Sequence, residues 1–194
     1  MSLNSEDVIK IFKSTEALLD GHFLLTSGRH SNQYFQCAKV LQYPEYTSQI
    51  CSLIANYFKD HEIDTVIAPA MGGMIVGYEV ARQLNKRSIF TERENKEMTL
   101  RRGFSLSKGE NVLVCEDVVT TGGSVFEVIE IVKKFGAEIV GVGSIVDRSN
   151  GKVNFGYEFF PSLRLNAVSY PPEDCAICKE GKLELVKPGS RKVF

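Results

Sequence analysis

The sequence predicts an α/β protein with a central, mostly parallel sheet flanked by helices and a small cap, or hood, beside it. Two observations carry this prediction. Through the middle of the chain, short apolar runs rich in β-branched residues alternate with longer segments of helical spacing, the pattern of parallel strands joined by crossover helices. Glycine-rich turns fall between them, where a strand end must pass into a helix N-terminus. A length of 194 residues with 43% apolar content is enough for one substantial core. One domain over 1–194 is therefore expected, with its core at about 44–150 and its hood drawn from about 1–43 and 151–194.

In chain order, MSLNSEDVIKIFKSTEALL carries Glu6 and Asp7 where a signal peptide would be basic. It reads as a capped amphipathic helix that stays in the mature protein. Gly21 to Gln36, GHFLLTSGRHSNQYFQ, taken by itself is a hairpin whose Tyr34 and Phe35 pack in a core. Pro44 sits at the start of a helix over Glu45 to Asp60, apolar at Ile50, Leu53, Ile54 and Tyr57. Strands are expected at Thr65 to Pro69, Ser88 to Glu92, Val112 to Glu116 and Ile139 to Val146, with helices beginning near Gly73 and Ser124. Residues 153–170, VNFGYEFFPSLRLNAVSY, form a second β-like region with edges at Gly156 and Pro161, expected to join residues 21–41 in the hood.

A formal charge of −1 gives no electrostatic reason to expect a nucleic-acid or membrane-surface binder, so anion binding must be local. No apolar stretch reaches the roughly 20 residues of a membrane span. Five scattered cysteines, an odd number, point to a reducing, cytoplasmic setting. Cys37, Cys51 and Cys115 are expected to act as small apolar residues. Cys175 and Cys178 form a C-x-x-C, but a zinc site takes four ligands and no second pair exists, so local packing is the expected role and no residue is assigned to a metal.

The chemistry concentrates in Asn111 to Val125, NVLVCEDVVTTGGSV, where a buried strand ends in two acids and enters a hydroxyl- and glycine-rich turn before a helix. Such a turn points backbone N–H groups outward, and Gly122 and Gly123 let the backbone close on an anion. Thr120, Thr121 and Ser124 add hydroxyl donors. An ordinary turn with Ser124 as N-cap would need no acids. Glu116 and Asp117 would repel a phosphate but can accept hydrogen bonds from sugar hydroxyls or hold a hydrated Mg²⁺. A phosphorylated sugar satisfies both halves. The turn lacks the G-x-x-x-x-G-K-[ST] and G-x-G-x-x-G patterns of other nucleotide sites.

Glu116 to Ser124 closely resembles the phosphoribosyl pyrophosphate (PRPP) signature of type I phosphoribosyltransferases. The resemblance implies PRPP contacts from Glu116, Asp117, Val118, Val119, Thr120, Thr121, Gly122, Gly123 and Ser124. Four further stretches are similar to the orotate-specific members of that family. Gly21 to Gln36 corresponds to one wall of the orotate pocket, implying base contacts from Tyr34 and Phe35. APAMGG, Ala68 to Gly73, is similar to the diphosphate loop, implying donors at Met71, Gly72 and Gly73 and a cis peptide near Ala70–Met71. TERENKEMTLRRGF, Thr91 to Phe104, resembles the mobile loop that closes over the diphosphate. Arg93 and Lys96 are its expected catalytic cations, alongside Asp117, with Arg101 and Arg102 competing with Lys96. IVDRSNG places Arg148 at a strand end, able to pair with the substrate carboxylate rather than simply with Asp147, with Thr120 also near orotate.

The resemblance implies transfer of the phosphoribosyl group from PRPP to orotate, Mg²⁺ as cofactor, and a homodimer whose loop reaches the neighbouring site. Departures are local. Many orotate enzymes carry a lysine where this chain has Thr26, and their longer loop has a histidine and two lysines. The chain looks like a short-loop branch. A purine phosphoribosyltransferase would leave Arg148 without a carboxylate to bind, and a PRPP-sensing nucleic-acid-binding regulator should show a basic face or recognition helix.

Overall fold

The computed structural model describes residues 3–25, 27–166 and 168–188. In chain order its elements are α1 (Ser5–Ser14), β1 (Leu18–Leu24), β2 (His30–Phe35), α2 (Ala38–Leu41), α3 (Pro44–Phe58), β3 (Thr65–Pro69), α4 (Gly72–Leu84), β4 (Arg87–Glu94), β5 (Glu97–Leu100), β6 (Asn111–Val119), α5 (Gly123–Lys134), β7 (Glu138–Asp147), β8 (Phe159–Arg164), β9 (Ser169–Tyr170) and α6 (Ala176–Glu180), with a 3-10 turn at Pro172–Asp174 before α6. The main sheet runs β5-β4-β3-β6-β7-β8, and a three-stranded sheet runs β1-β2-β9.

In the main sheet every neighbouring pair is parallel except β4 with β5. The reason lies in the sequence of β3 and β6: Val66, Ile67, Ala68 and Val112 to Cys115 are fully buried, because helices cover both faces and a strand in that position must be apolar on both sides. One face packs with α4, through Val76, Val80 and Ala81, against α3 and the hood residues Val8, Phe12 and Phe35. The other packs with α5, through Val125, Val128, Ile129 and Val132. Asn4 caps α1 in a reciprocal box with Asp7, the cap that the N-terminal sequence led us to expect.

Two expectations change. Residues 153–170 do not all enter the hood: β8 pairs with β7 and extends the main sheet, and only β9 joins β2. Pro161 explains how β8 fits, because this is the edge strand, where a missing N–H leaves no partner unsatisfied. The segment that resembles a mobile loop is also not irregular. Thr91 to Glu94 pair antiparallel with Glu97 to Leu100, and Asn95 and Lys96 turn the hairpin with φ of 51° and 73°. Its charges obscure a strand pattern that a two-residue turn closes.

Candidate active site

The crossover from β3 through α4 leads to β4 on one side, and that from β6 through α5 leads to β7 on the other. The carboxyl ends of β3 and β6 therefore flank the point where strand order reverses, the place where open α/β sheets form a crevice for ligands. Both helices begin there, and neither has a side-chain cap at its N-terminus. Their first N–H groups and positive dipole ends are thus left for a ligand.

At α5 the N-cap is Gly122, not Ser124, with φ of 77°. A Cβ there would lie 2.9 Å from Phe155 and 3.0 Å from Val153, so conformation and packing both demand glycine. A cleft of about 280 Å³ opens over this turn, lined by Glu116, Val118 to Val125, Arg93 and Glu127. The structure thus gathers the expected phosphate cradle from Thr120 to Ser124 at one opening. Glu127, one turn into α5, was not anticipated; its spacing from Gly123 is the signal that places it on the same helix end.

Glu116 and Asp117 end the buried part of β6 beside the other helix. Glu116 Oε1 accepts the Asp117 N–H at 2.9 Å, and Asp117 Oδ1 accepts the Val118 N–H at 2.8 Å. A Cβ on Gly72 would overlap the Asp117 carboxylate, and one on Gly73 would sit 2.7 Å from Glu116 Oε1. The two glycines let the diphosphate-like loop approach the acids. Burial, followed by the charge of Asp117 beside it, pushes Glu116 well above the ordinary carboxylate range. The Ala70–Met71 peptide is cis, as the resemblance implied. Met71, Gly72 and Asp117 line a second cleft of about 470 Å³ with Phe35, Gln36 and Ile75.

Arg148 follows β7, and its N–H donates to the Val119 carbonyl at 2.8 Å, which fixes it beside the cradle. The surface pairing with Asp147 does not form: Asp147 accepts the Ser149 N–H at 2.8 Å and lies 3.6 Å from Arg164. Among the described residues the Arg148 guanidinium has no carboxylate partner. Its half-burial lowers its pKa, an effect opposed by the nearby Tyr34 hydroxyl. Tyr34 and Phe35, adjacent on β2, point to opposite sides of the strand. Tyr34 donates to Gln36 Oε1 at 2.8 Å, whereas Phe35 is buried against Phe12 with ring centroids 5.1 Å apart. The two residues thus face different places: Phe35 packs in the core with an edge on the second cleft, and Tyr34 stands near Arg148.

The hairpin separates its cations. Arg93 reaches the cradle cleft, donating to the Lys96 carbonyl at 2.8 Å and lying 2.7 Å from Glu127. Arg101 is held by Glu92 and Glu94, each at 3.1 Å. Arg102 pairs with Glu92 at 2.9 Å and lies over the Phe90 ring. Lys96, exposed at the turn, has no carboxylate partner among the described residues. Thr26 lies outside the described residues.

Of the five cysteines, Cys37, Cys51 and Cys115 are buried, and burial pushes all three thiols up, which suits apolar packing. For Cys175 and Cys178 the expectation of no further ligand pair is corrected: His22 and His30 stand against them. The local spacing of the cysteines could not reveal partners about 150 residues upstream.

The phosphoribosyl transferase domain model matches residues 38–155, which include α3, both switch-point helices, the hairpin and Arg148. The orotate phosphoribosyltransferase of Desulforamulus reducens is 58% identical over 98% of this chain and 100% of its own length. That of Chlorobaculum parvum is 59% identical over 97% of each. The crystal structure of orotate phosphoribosyltransferase from Aeropyrum pernix superposes with a TM-score of 0.71 at 26% identity, over 81% of this chain and 93% of that one. With the cradle, the acid pair and the glycine loop at the switch point, these matches place the chain in the phosphoribosyltransferase family and, within it, among the orotate phosphoribosyltransferases.

Proposed function

We propose that this protein transfers the 5-phosphoribosyl group of PRPP to orotate, giving orotidine 5′-phosphate and diphosphate in pyrimidine nucleotide synthesis. The observation that carries the choice of base is Arg148, a half-buried guanidinium without a carboxylate partner among the described residues, next to the phosphate cradle. A carboxylated base completes that pairing through two parallel hydrogen bonds, and a neutral purine does not.

In this reading the turn from Thr120 to Ser124 holds the 5′-phosphate, and Glu116 and Asp117 hold the ribose hydroxyls. The N-terminus of α4, with Met71, Gly72 and Gly73, receives the diphosphate. The orotate ring nitrogen attacks C1 as the bond to diphosphate breaks, so positive charge grows on the ribose ring and negative charge on the leaving group. Arg93 and Lys96 stabilise the leaving group, and orientation by the cradle supplies much of the remaining rate. No side chain acts as nucleophile.

The donor set fits a hard cation carried in with the substrate. Two carboxyl groups, those of Glu116 and Asp117, face the crevice, and the absence of a Cβ at Gly72 and Gly73 leaves room beside them. When bound, Mg²⁺ would neutralise charge on the diphosphate. The chain works as a cytoplasmic homodimer in this proposal, with Lys96, exposed at the hairpin tip, serving the neighbouring site. Among the described residues no helix is long and apolar enough to cross a membrane.

The test compares orotate with uracil, which lacks the carboxylate, as acceptors for PRPP and Mg²⁺. Orotate should be consumed and uracil left. Comparable turnover of both would remove Arg148 from its role. For the shared site, Lys96→Ala subunits mixed with Asp117→Asn subunits should regain part of the activity; no regain after demonstrated subunit exchange would mean the hairpin acts within its own subunit.

A further inference from the structure

We propose that His22, His30, Cys175 and Cys178 bind a structural zinc ion that fastens the C-terminal segment to the hood sheet. One ligand atom from each lies within 4.8 Å of every other. His22 Nε2 is 3.0 Å from His30 Nδ1, and Cys178 Sγ is 3.5 Å from His22 Nε2 and 3.2 Å from His30 Nδ1. Cys175 Sγ is 3.6 Å from His22 Nε2. A tetrahedral zinc with Zn–S of about 2.3 Å and Zn–N of about 2.05 Å would set its nitrogens about 3.3 Å apart and each nitrogen about 3.6 Å from a sulfur. The four distances given above stand within about 0.4 Å of those values, and the two remaining separations lie within 4.8 Å, so the four side chains surround a space that a zinc can occupy with small adjustments.

Local structure aims the ligands. The pairing of β1 with β2 shifts register between Asp20 and Phe23, so His22 falls at a bulge and both His22 and Phe23 turn inward, where regular alternation would expose one of them. His30 opens β2. Cys175 precedes α6 and Cys178 lies in its first turn, which brings both sulfurs to one side. His22 Nδ1 lies 3.2 Å from the Leu183 carbonyl. Donation there leaves Nε2 unprotonated and facing the sulfurs, the outer-sphere arrangement typical of a metal-bound histidine. Mixed thiolate and imidazole donors in a tetrahedron favour zinc over calcium or magnesium.

The energetics of the segment supply the need. Of residues 171–188 only Cys175 is buried, and Leu183, Leu185 and Val186 are exposed. The segment meets the hood through bonds of Leu24 and His22 with Val186, but contributes no apolar core. A piece of chain with so little burial needs another fastening, and metal ligation provides one. His22, His30 and Cys175 are shielded, and Cys178 is exposed, which gives the ion a way in. Because His30 lies on the same short strand as Tyr34, the metal would also steady the strand beside Arg148.

The experiment uses full-length protein without a histidine tag, purified with zinc in the medium. Elemental analysis should find one zinc per chain, and a Cys175→Ser/Cys178→Ser variant should lose it. Replacement by Co²⁺ should give the visible bands of a tetrahedral site and a sulfur-to-cobalt charge-transfer band. After chelation, amide exchange should quicken in residues 172–188 and in β1 while β6 and α5 stay protected. Substoichiometric metal in the wild type, an octahedral cobalt spectrum, a Cys175–Cys178 disulfide in the purified protein, or unchanged exchange after metal loss would each overturn the proposal. The cobalt spectrum is read on wild-type protein, so the outcome does not depend on the variant folding.

Discussion

Replacing Arg148 with methionine isolates what its charge does. The side chain is half-buried, burial disfavours its charged form, and among the described residues no carboxylate compensates. In the free protein that guanidinium is a cost, so an apolar chain of similar length should leave stability unchanged or raise it by up to about 1 kcal/mol. With orotate bound the balance reverses, because the carboxylate loses a bidentate, charge-assisted partner. Leaving a buried charge unpaired costs about 2–5 kcal/mol, or roughly 30-fold to several thousand-fold in kcat/KM for orotate. The Val119 bond comes from the Arg148 backbone and survives the substitution, so the cradle stays in place and KM for PRPP should change less than about threefold. Steady-state kinetics varying each substrate, with urea unfolding of the free protein, read both halves. Retained orotate kcat/KM, or a loss confined to PRPP, would refute the reasoning.

Other substitutions probe the remaining parts. Lys96 occupies a left-handed turn position with φ of 73°, so Lys96→Gly should keep or strengthen the hairpin while lowering kcat by about 10- to 1,000-fold; an equal loss of stability would mean the turn rather than the charge was removed. Gly72→Ala would force the Asp117 carboxylate aside, and kcat/KM for PRPP should fall about 100-fold with far-ultraviolet circular dichroism unchanged, a loss that Gly123→Ala, which meets no close neighbour, should not match through clash alone. For Glu116 the folded-state pKa, about 9, lies above the unfolded value of 4.5, so the folded form binds the proton more tightly. Stability is then full below the unfolded value and declines as pH rises through this window, by up to about 1.4 kcal/mol per unit. Urea unfolding from pH 6 to 8 should show that decline in the wild type and a flatter profile in Glu116→Gln; parallel profiles would remove Glu116 as its source.

What was legible in the sequence follows from how locally each feature is encoded. Thr65 to Pro69 and Val112 to Glu116 announced themselves because strands buried on both faces must be continuous apolar runs. Glu116 to Ser124 was legible as chemistry because acids, hydroxyls and glycines that serve one ligand lie within a single turn. The hairpin at Asn95 and Lys96 was hidden because its side chains are charged on both faces, which masks period-two alternation. Pro161 reads as a breaker in the sequence and points Phe159 to Arg164 away from the main sheet, whereas an edge position accommodates it. Tyr34 and Phe35 could have been separated by alternation alone. His22 and His30 could not have been joined to Cys175 and Cys178 by spacing, since the fold and a bulge bring them together.

The most direct test is base selectivity: purified protein with PRPP and Mg²⁺, offered orotate, adenine, hypoxanthine and xanthine separately, with diphosphate release followed for each. The account predicts release with orotate alone, in step with formation of orotidine 5′-phosphate. Turnover of a purine, or PRPP binding without turnover of any base, would contradict it.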